Sequence, residues 1–273
     1  MLMKHSDKLT GLSGRDLKAL LSRLCDAAHR DIGRLAGNEP VAVHQLRLRM
    51  KKVHALLRLA VDGIDDQTLR AMQQHVRAVK GACAQSREET VRGRLIDRLA
   101  NRFHLPETCG RRPVQTKHTS PSAAFVRHHL HALEQLLKMA TFEHLLERQI
   151  VERHALCYRK GRRLLRQIAG TADELSLHRW RHRVKDLYFQ TLALHHLPGA
   201  RKRARRSARL GALLGQDHDL VTLMKEPAFR SRRGPWPEII HERREKLRRR
   251  YLALGQRLFA PQGARFRARI CSV

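Results

Sequence analysis

The stretch VHQLRLRMKKVHALLRL, residues 43–59, contains no acidic residue and carries two distinct faces. Leu46, Met50, Val53 and Leu57 recur at intervals of three and four, the spacing of a helix that buries one side. At roughly 100° per residue, His44, Arg47, Lys51 and Arg58 fall in a strip about 60° wide beside that apolar seam. Cations that only solubilise a helix belong on its outer face. These line the edge of the buried one, where a groove between helices opens, and that position suits an anion.

The pattern occurs twice. HRWRHRVKDL (178–187) aligns without gaps to HQLRLRMKKV (44–53), an offset of 178 − 44 = 134 residues. His44 matches His178, Arg47 matches Arg181, Arg49 matches Arg183 and Lys51 matches Lys185. The seam follows, with Leu46 on Trp180, Met50 on Val184 and Val53 on Leu187. Two helical bundles facing each other, each giving one cationic helix to a shared groove, account for both faces repeating in register.

Elsewhere apolar residues also recur at three and four, and little alternates with period two. The expected helices are 13–36, 40–61, 66–85, 87–103, 121–147, 149–169, 174–196, 200–225 and 237–259. Breaks are expected at AGNEP (36–40), LPG (197–199) and RRGPWP (232–237). The longest interruption, HLPETCGRRPVQTKHTSPS (104–122), has three prolines and no apolar period. The expected fold is all-α: two helical bundles facing each other across a shared basic groove. It forms one domain over 8–265, with halves 8–103 and 121–265 joined by the linker 104–120.

Composition narrows the function. Lys and Arg number 56 against 25 acids, a formal charge of +31, which points to an anionic partner. Aromatic residues are only 4%, too few for the stacking platforms of a single-strand binder. Cys25, Cys83, Cys109, Cys157 and Cys271 are odd in number with no C-x-x-C pair, the pattern of reduced thiols in a cytoplasmic protein. No signal peptide or spanning segment is evident, so no membrane association is expected.

Three further stretches carry charge. ARKRARRSARLGALLGQDHDL (200–220) places six cations between Arg201 and Arg209. YRKGRR (158–163) sets Tyr158 and Arg162 on one helix face. The tail KLRRRYLALGQRLFAPQGARFRARI (246–270) has no acid. Metal and catalytic readings fare worse. His178 and His182 are spaced i, i+4, but no H-E-x-x-H is present and the cations around them oppose a metal. Asp217, His218 and Asp219 suggest a phosphohydrolase His-Asp pair, yet no Walker loop or nucleophile elbow accompanies them. No cofactor, metal or catalytic residue is expected.

Taken in order, VHQLRLRMKKVHALLRL, YRKGRR, LHRWRHRVKDLYFQTLAL (177–194), LLGQDHDLVTL (213–223) and LGQRLFA (254–260) resemble the CHAD domain, a histidine-bearing α-helical domain that binds inorganic polyphosphate. The resemblance runs from about residue 10 to 265. It implies an all-α fold of two pseudo-twofold-related bundles of four-helix type flanking a basic central groove, and a non-enzymatic polyphosphate binder of the cytoplasm, associated with polyphosphate granules. The phosphate contacts it implies are His44, Arg47, Lys51, Lys52 and Arg58 in the first half. In the second they are Tyr158, Arg162, His178, Arg181 and Lys185, with Arg201, Lys202, Arg205 and Arg209 in support. His54 and Tyr188 stand where relatives tend to carry Arg, and ACAQSREET (82–90) is a degenerate counterpart of LLGQDHDL. Nucleic acid is the secondary partner expected from charge alone, and a metal-dependent phosphohydrolase is a more distant alternative.

Overall fold

A computed structural model describes residues 11–35, 40–103, 121–170, 173–225, 229 and 235–271. The breaks expected at 36–39, 104–120 and 232–234, and Cys109, lie outside these. Ten helices of nine or more residues run through the described residues, with no strand among them. They are α1 (Gly14–Leu35), α2 (Pro40–Leu57), α3 (Asp66–Ala82), α4 (Ala84–Phe103), α5 (Ala123–Met139), α6 (Glu147–Gly170), α7 (Glu174–Ala193), α8 (Ala200–Met224), α9 (Trp236–Leu258) and α10 (Gly263–Cys271). The all-α class expected from the periodicity is what the chain adopts.

Local chemistry sets several ends. Asp65, Ser122 and Asp173 cap α3, α5 and α7 by accepting from the backbone N–H three residues on. Between α7 and α8, Gly199 takes φ 72°, a left-handed conformation that costs glycine nothing. That tight corner lays the basic α8 straight back along α7.

Packing follows the seams. α2 packs on α1 and α3, while α7 packs on α6 and α8, and α2 and α7 touch each other. Leu46, Met50 and Val53 of the first seam, and Trp180, Val184 and Leu187 of the second, are all fully buried. Gly255 of α9 lies against Trp180, where an added Cβ would sit 2.8 Å from the indole. Bare backbone therefore lets α9 close over the largest core side chain. Cys25, Cys83 and Cys157 are buried free thiols, pushed up to about 12, 11 and 12 first by burial.

Three features differ from the sequence expectation or add to it. The helix expected over 121–147 ends at Met139. The Lys18 ammonium donates to the carbonyls of Lys138 and Ala140, at 3.0 and 2.7 Å, and so caps that end. Phe142 and Leu145 then enter the core from the following turn, and helical spacing alone could not separate that apolar turn from a helix. Second, α5 packs on α1 and α3, so helix 123–139 sits with the first-half helices although it follows the linker. Third, the basic tail forms α10, which packs on α6.

His154 lies at the heart of α6 with no exposure, its Nδ1 3.4 Å from Gln190 Oε1. Burial, then the Arg203 charge, depresses it from 6.5 to about 3, against the Gln190 bond. Between these values the unfolded chain binds a proton that the native state refuses. Stability should therefore be level above pH 6.5 and fall as the pH drops toward 3, by about 1.4 kcal/mol per pH unit from this group. Urea midpoints at pH 7.5 and 5 should differ less in His154→Gln than in the parent chain.

Candidate anion-binding site

The two cationic strips sit on helices that cross. At the crossing, Gln190 Nε2 of α7 donates to the Ala55 carbonyl of α2 at 3.0 Å. Beside it Arg58 Nε, just past the end of α2, lies 3.3 Å from Asp186 Oδ2 of α7, and Arg183 Nη1 donates to the same oxygen at 3.1 Å. Asp186 is buried, and burial pushes its carboxyl up against the pull of Arg58, Arg183 and Lys80. One carboxylate thus balances cations from both halves of the chain where they meet. It replaces Lys52, its counterpart in the first copy.

Lys80, in the last turn of α3, completes this cluster. Burial lowers its pKa; Asp186 offsets this, and Arg47, Arg58 and Arg77 lower it further. Lys80 also acts on His182 of α7, so it bridges the two strips. No motif marks this residue. The only signal in the sequence is an acid-free run from Gln67 to Arg87. His54, half-buried in the same cluster, is depressed to about 3 by burial and then by Lys80, Arg58, Arg77 and Arg183.

Each repeat spends its cations differently. On α2, His44 is exposed and Arg47, Lys51 and Lys52 are half-buried, as is Arg58 just after it. Arg47 Nη1 donates to the carbonyl of Cys83 at the end of α3, at 3.2 Å. Arg49 is held by Asp31 at 2.5 Å, and the Lys52 pKa is lowered by burial and then by Arg49. On α7, His178 is exposed, Lys185 half-buried and Arg181 buried. Lys185 and Arg181 both lie against α8: a Cβ at Gly211 would be in ordinary contact, 3.8 Å, with the Lys185 stem at Cγ, and one at Gly215 3.7 Å from the Arg181 guanidinium at Nη2. Close packing of the stems fixes where the charged ends emerge.

On α8, Arg201, Lys202, Arg205 and Arg209 are exposed. Arg203 turns inward, donating to the Pro198 carbonyl at 3.3 Å and lying 5.0 Å over the Phe266 ring. A cavity of about 360 Å³ opens between α7, α8 and α9, lined among others by His178, Arg181, His218, Lys225 and Arg244. Asp217 at its wall pairs with Arg244 at 3.1 Å. Among the described residues, no group of three or more His, Cys, Asp or Glu side chains could hold a metal ion.

Two of the expected contact residues are engaged by the tail. Tyr158 is 1% exposed, stacks on Phe266 with ring centroids 3.8 Å apart, and donates its hydroxyl to the Pro261 carbonyl at 3.1 Å. Arg162 Nε donates to the Phe259 carbonyl at 3.1 Å. The tail folds back over α6 and takes both side chains, so Tyr158 faces the core and Arg162 caps the end of α9. Their i, i+4 spacing was real, but it faces the tail.

The sequence model of the CHAD domain matches residues 18–227, which include α2, α3, α7 and α8. The chain belongs to the CHAD family. Its structure is similar to the crystal structure of the CHAD domain from the plant Ricinus communis, with a TM-score of 0.53 over 92% of this chain and 93% of that one. Identity is 14%, so the likeness is one of fold. No curated protein sequence matches the chain. No helix among the described residues is long and apolar enough to cross a membrane.

Removing the Asp186 charge should leave Arg58 and Arg183 crowded without a counter-charge. Breaking a buried pair typically costs about 3–5 kcal/mol, less where one partner reaches water as Arg58 does. Asp186→Asn should lose about 2 kcal/mol in urea unfolding, and more at low salt than at high salt. Unchanged stability would show that Asp186 does not balance the crossing.

Proposed function

We propose that this CHAD protein binds long-chain inorganic polyphosphate along the α2/α7 crossing and the exposed face of α8, as a non-catalytic module residing at cytoplasmic polyphosphate granules. One observation carries this reading. Cations from α2, α3 and α7 converge on a crossing where Asp186 is the acid that meets them. Such convergence is unfavourable in the unliganded protein and is relieved by a polyanion. Family membership adds to it.

His44, Arg47, Lys51, Lys52, His178, Arg181 and Lys185 are assigned to the groove. Lys80 joins them, and Arg201, Lys202, Arg205 and Arg209 extend the path over α8. Arg58 acts as a joint between the helices through Asp186. Binding releases counterions, so affinity should fall with salt, by the logic established for nucleic-acid backbones. Because the stems of the groove cations are packed, they lose little side-chain entropy when a ligand arrives.

Arg47→Glu/Lys51→Glu should weaken polyphosphate binding by well over tenfold at about 150 mM salt, since each charge-assisted contact contributes about 1.5–3 kcal/mol. The same charge change made by Arg70→Glu/Arg127→Glu, on exposed positions of α3 and α5, should cost about threefold or less. Equal losses in titration calorimetry would mean that net charge governs binding and no groove exists.

A further inference from the structure

Two imidazoles, His178 and His218, line the cavity between α7, α8 and α9, and a third, His182, touches His178 from one turn further along α7. His178 Nε2 and His182 Nε2 lie 2.9 Å apart, and the His218 ring centroid is 5.4 Å from that of His178. At that distance one nitrogen donates and the other accepts, so the neutral pair shares a single proton. Were both rings protonated, both nitrogens would be donors and would need an outside acceptor. An anionic oxygen in the cavity mouth is such an acceptor.

The surroundings favour an anion over a metal ion. From α7 the imidazoles face Arg181 and Lys185, from α3 Lys80, and from α8 Lys225. The nearby acids are already engaged: Glu174 with Lys225 at 3.0 Å, and Asp217 with Arg244 of α9 at 3.1 Å. We propose that His178, His182 and His218 form a phosphate subsite that takes up protons as the polyanion enters, so that acidity tightens binding. This inference rests on the polyphosphate reading.

In the unliganded protein, burial first and the neighbouring cations second hold His182 at about 3 and His218 at about 4, and His178 is lowered by the same causes. All three are therefore neutral at pH 7. A phosphate oxygen beside them reverses the local field and raises their pKa values in the complex. The complex then holds more protons than the separate partners. Affinity rises as pH falls from the raised values toward 4, about tenfold per pH unit for each proton taken up. A long polyphosphate has only two end groups that titrate near neutrality, so its own protonation adds little.

Titration calorimetry of the full chain with long-chain polyphosphate at pH 6, in two buffers of different protonation enthalpy, reads the uptake directly. The expected result is an uptake of roughly one proton or more, with affinity climbing between pH 8 and pH 5.5. His182→Gln/His218→Gln should remove most of the uptake and flatten the profile, with circular dichroism confirming the fold. His54→Gln, in the separate cluster at the crossing, should keep most of it. Equal heats in both buffers would overturn the subsite, as would a slope that survives the double substitution or disappears with His54→Gln. Tight binding with no proton uptake sinks only this inference, whereas no binding at any pH sinks the polyphosphate reading with it.

Discussion

A single buried carboxylate makes the rest of the architecture tolerable. Asp186 meets Arg58 from just beyond the first copy of the repeat and Arg183 from within the second, with Lys80 close by. Without it, two helices whose charged edges carry the same sign would have to cross in a partly dry environment, where like charges repel most strongly. The hydrogen bond from Gln190 to the Ala55 carbonyl adds direction to that balance. The apolar seams bring α2 and α7 together, and the carboxylate makes their contact possible.

The balance is deliberately incomplete. The chain carries 56 basic residues against 25 acids, and several acids near the site are committed to particular partners: Asp31 to Arg49, Asp217 to Arg244 and Glu174 to Lys225. The crossing and the exposed face of α8 are rich in basic side chains. Arg181 and Lys185 lie against α8 beside Gly215 and Gly211. Position, and not only amount, of charge is thereby specified.

Much of this was legible in the sequence, because helical periodicity and an ungapped repeat of ten residues report directly on packing. Both seams are buried and both strips lie on touching helices. Chemistry decided by distant partners was not legible. Tyr158 and Arg162 carry the spacing of a binding pair, but the tail takes them through Phe266, Pro261 and Phe259. Lys80 has no motif and matters only because α3 ends beside α2 and α7. The turn after Met139 is apolar enough to read as helix, and Lys18 ends it from 120 residues away. Local pattern predicts faces, whereas long-range contacts decide which face meets which.

The most direct measurement of the central claim is competition at about 150 mM salt, where surface attraction is screened beyond roughly 8 Å. Labelled polyphosphate bound to the full chain would be challenged with duplex DNA and tRNA at equal phosphate concentration, and the reverse exchange run in parallel. A groove of preorganised cations predicts that polyphosphate displaces both nucleic acids and that neither displaces polyphosphate. Nucleic acid competing as well as polyphosphate would contradict the account and leave a basic surface without a groove.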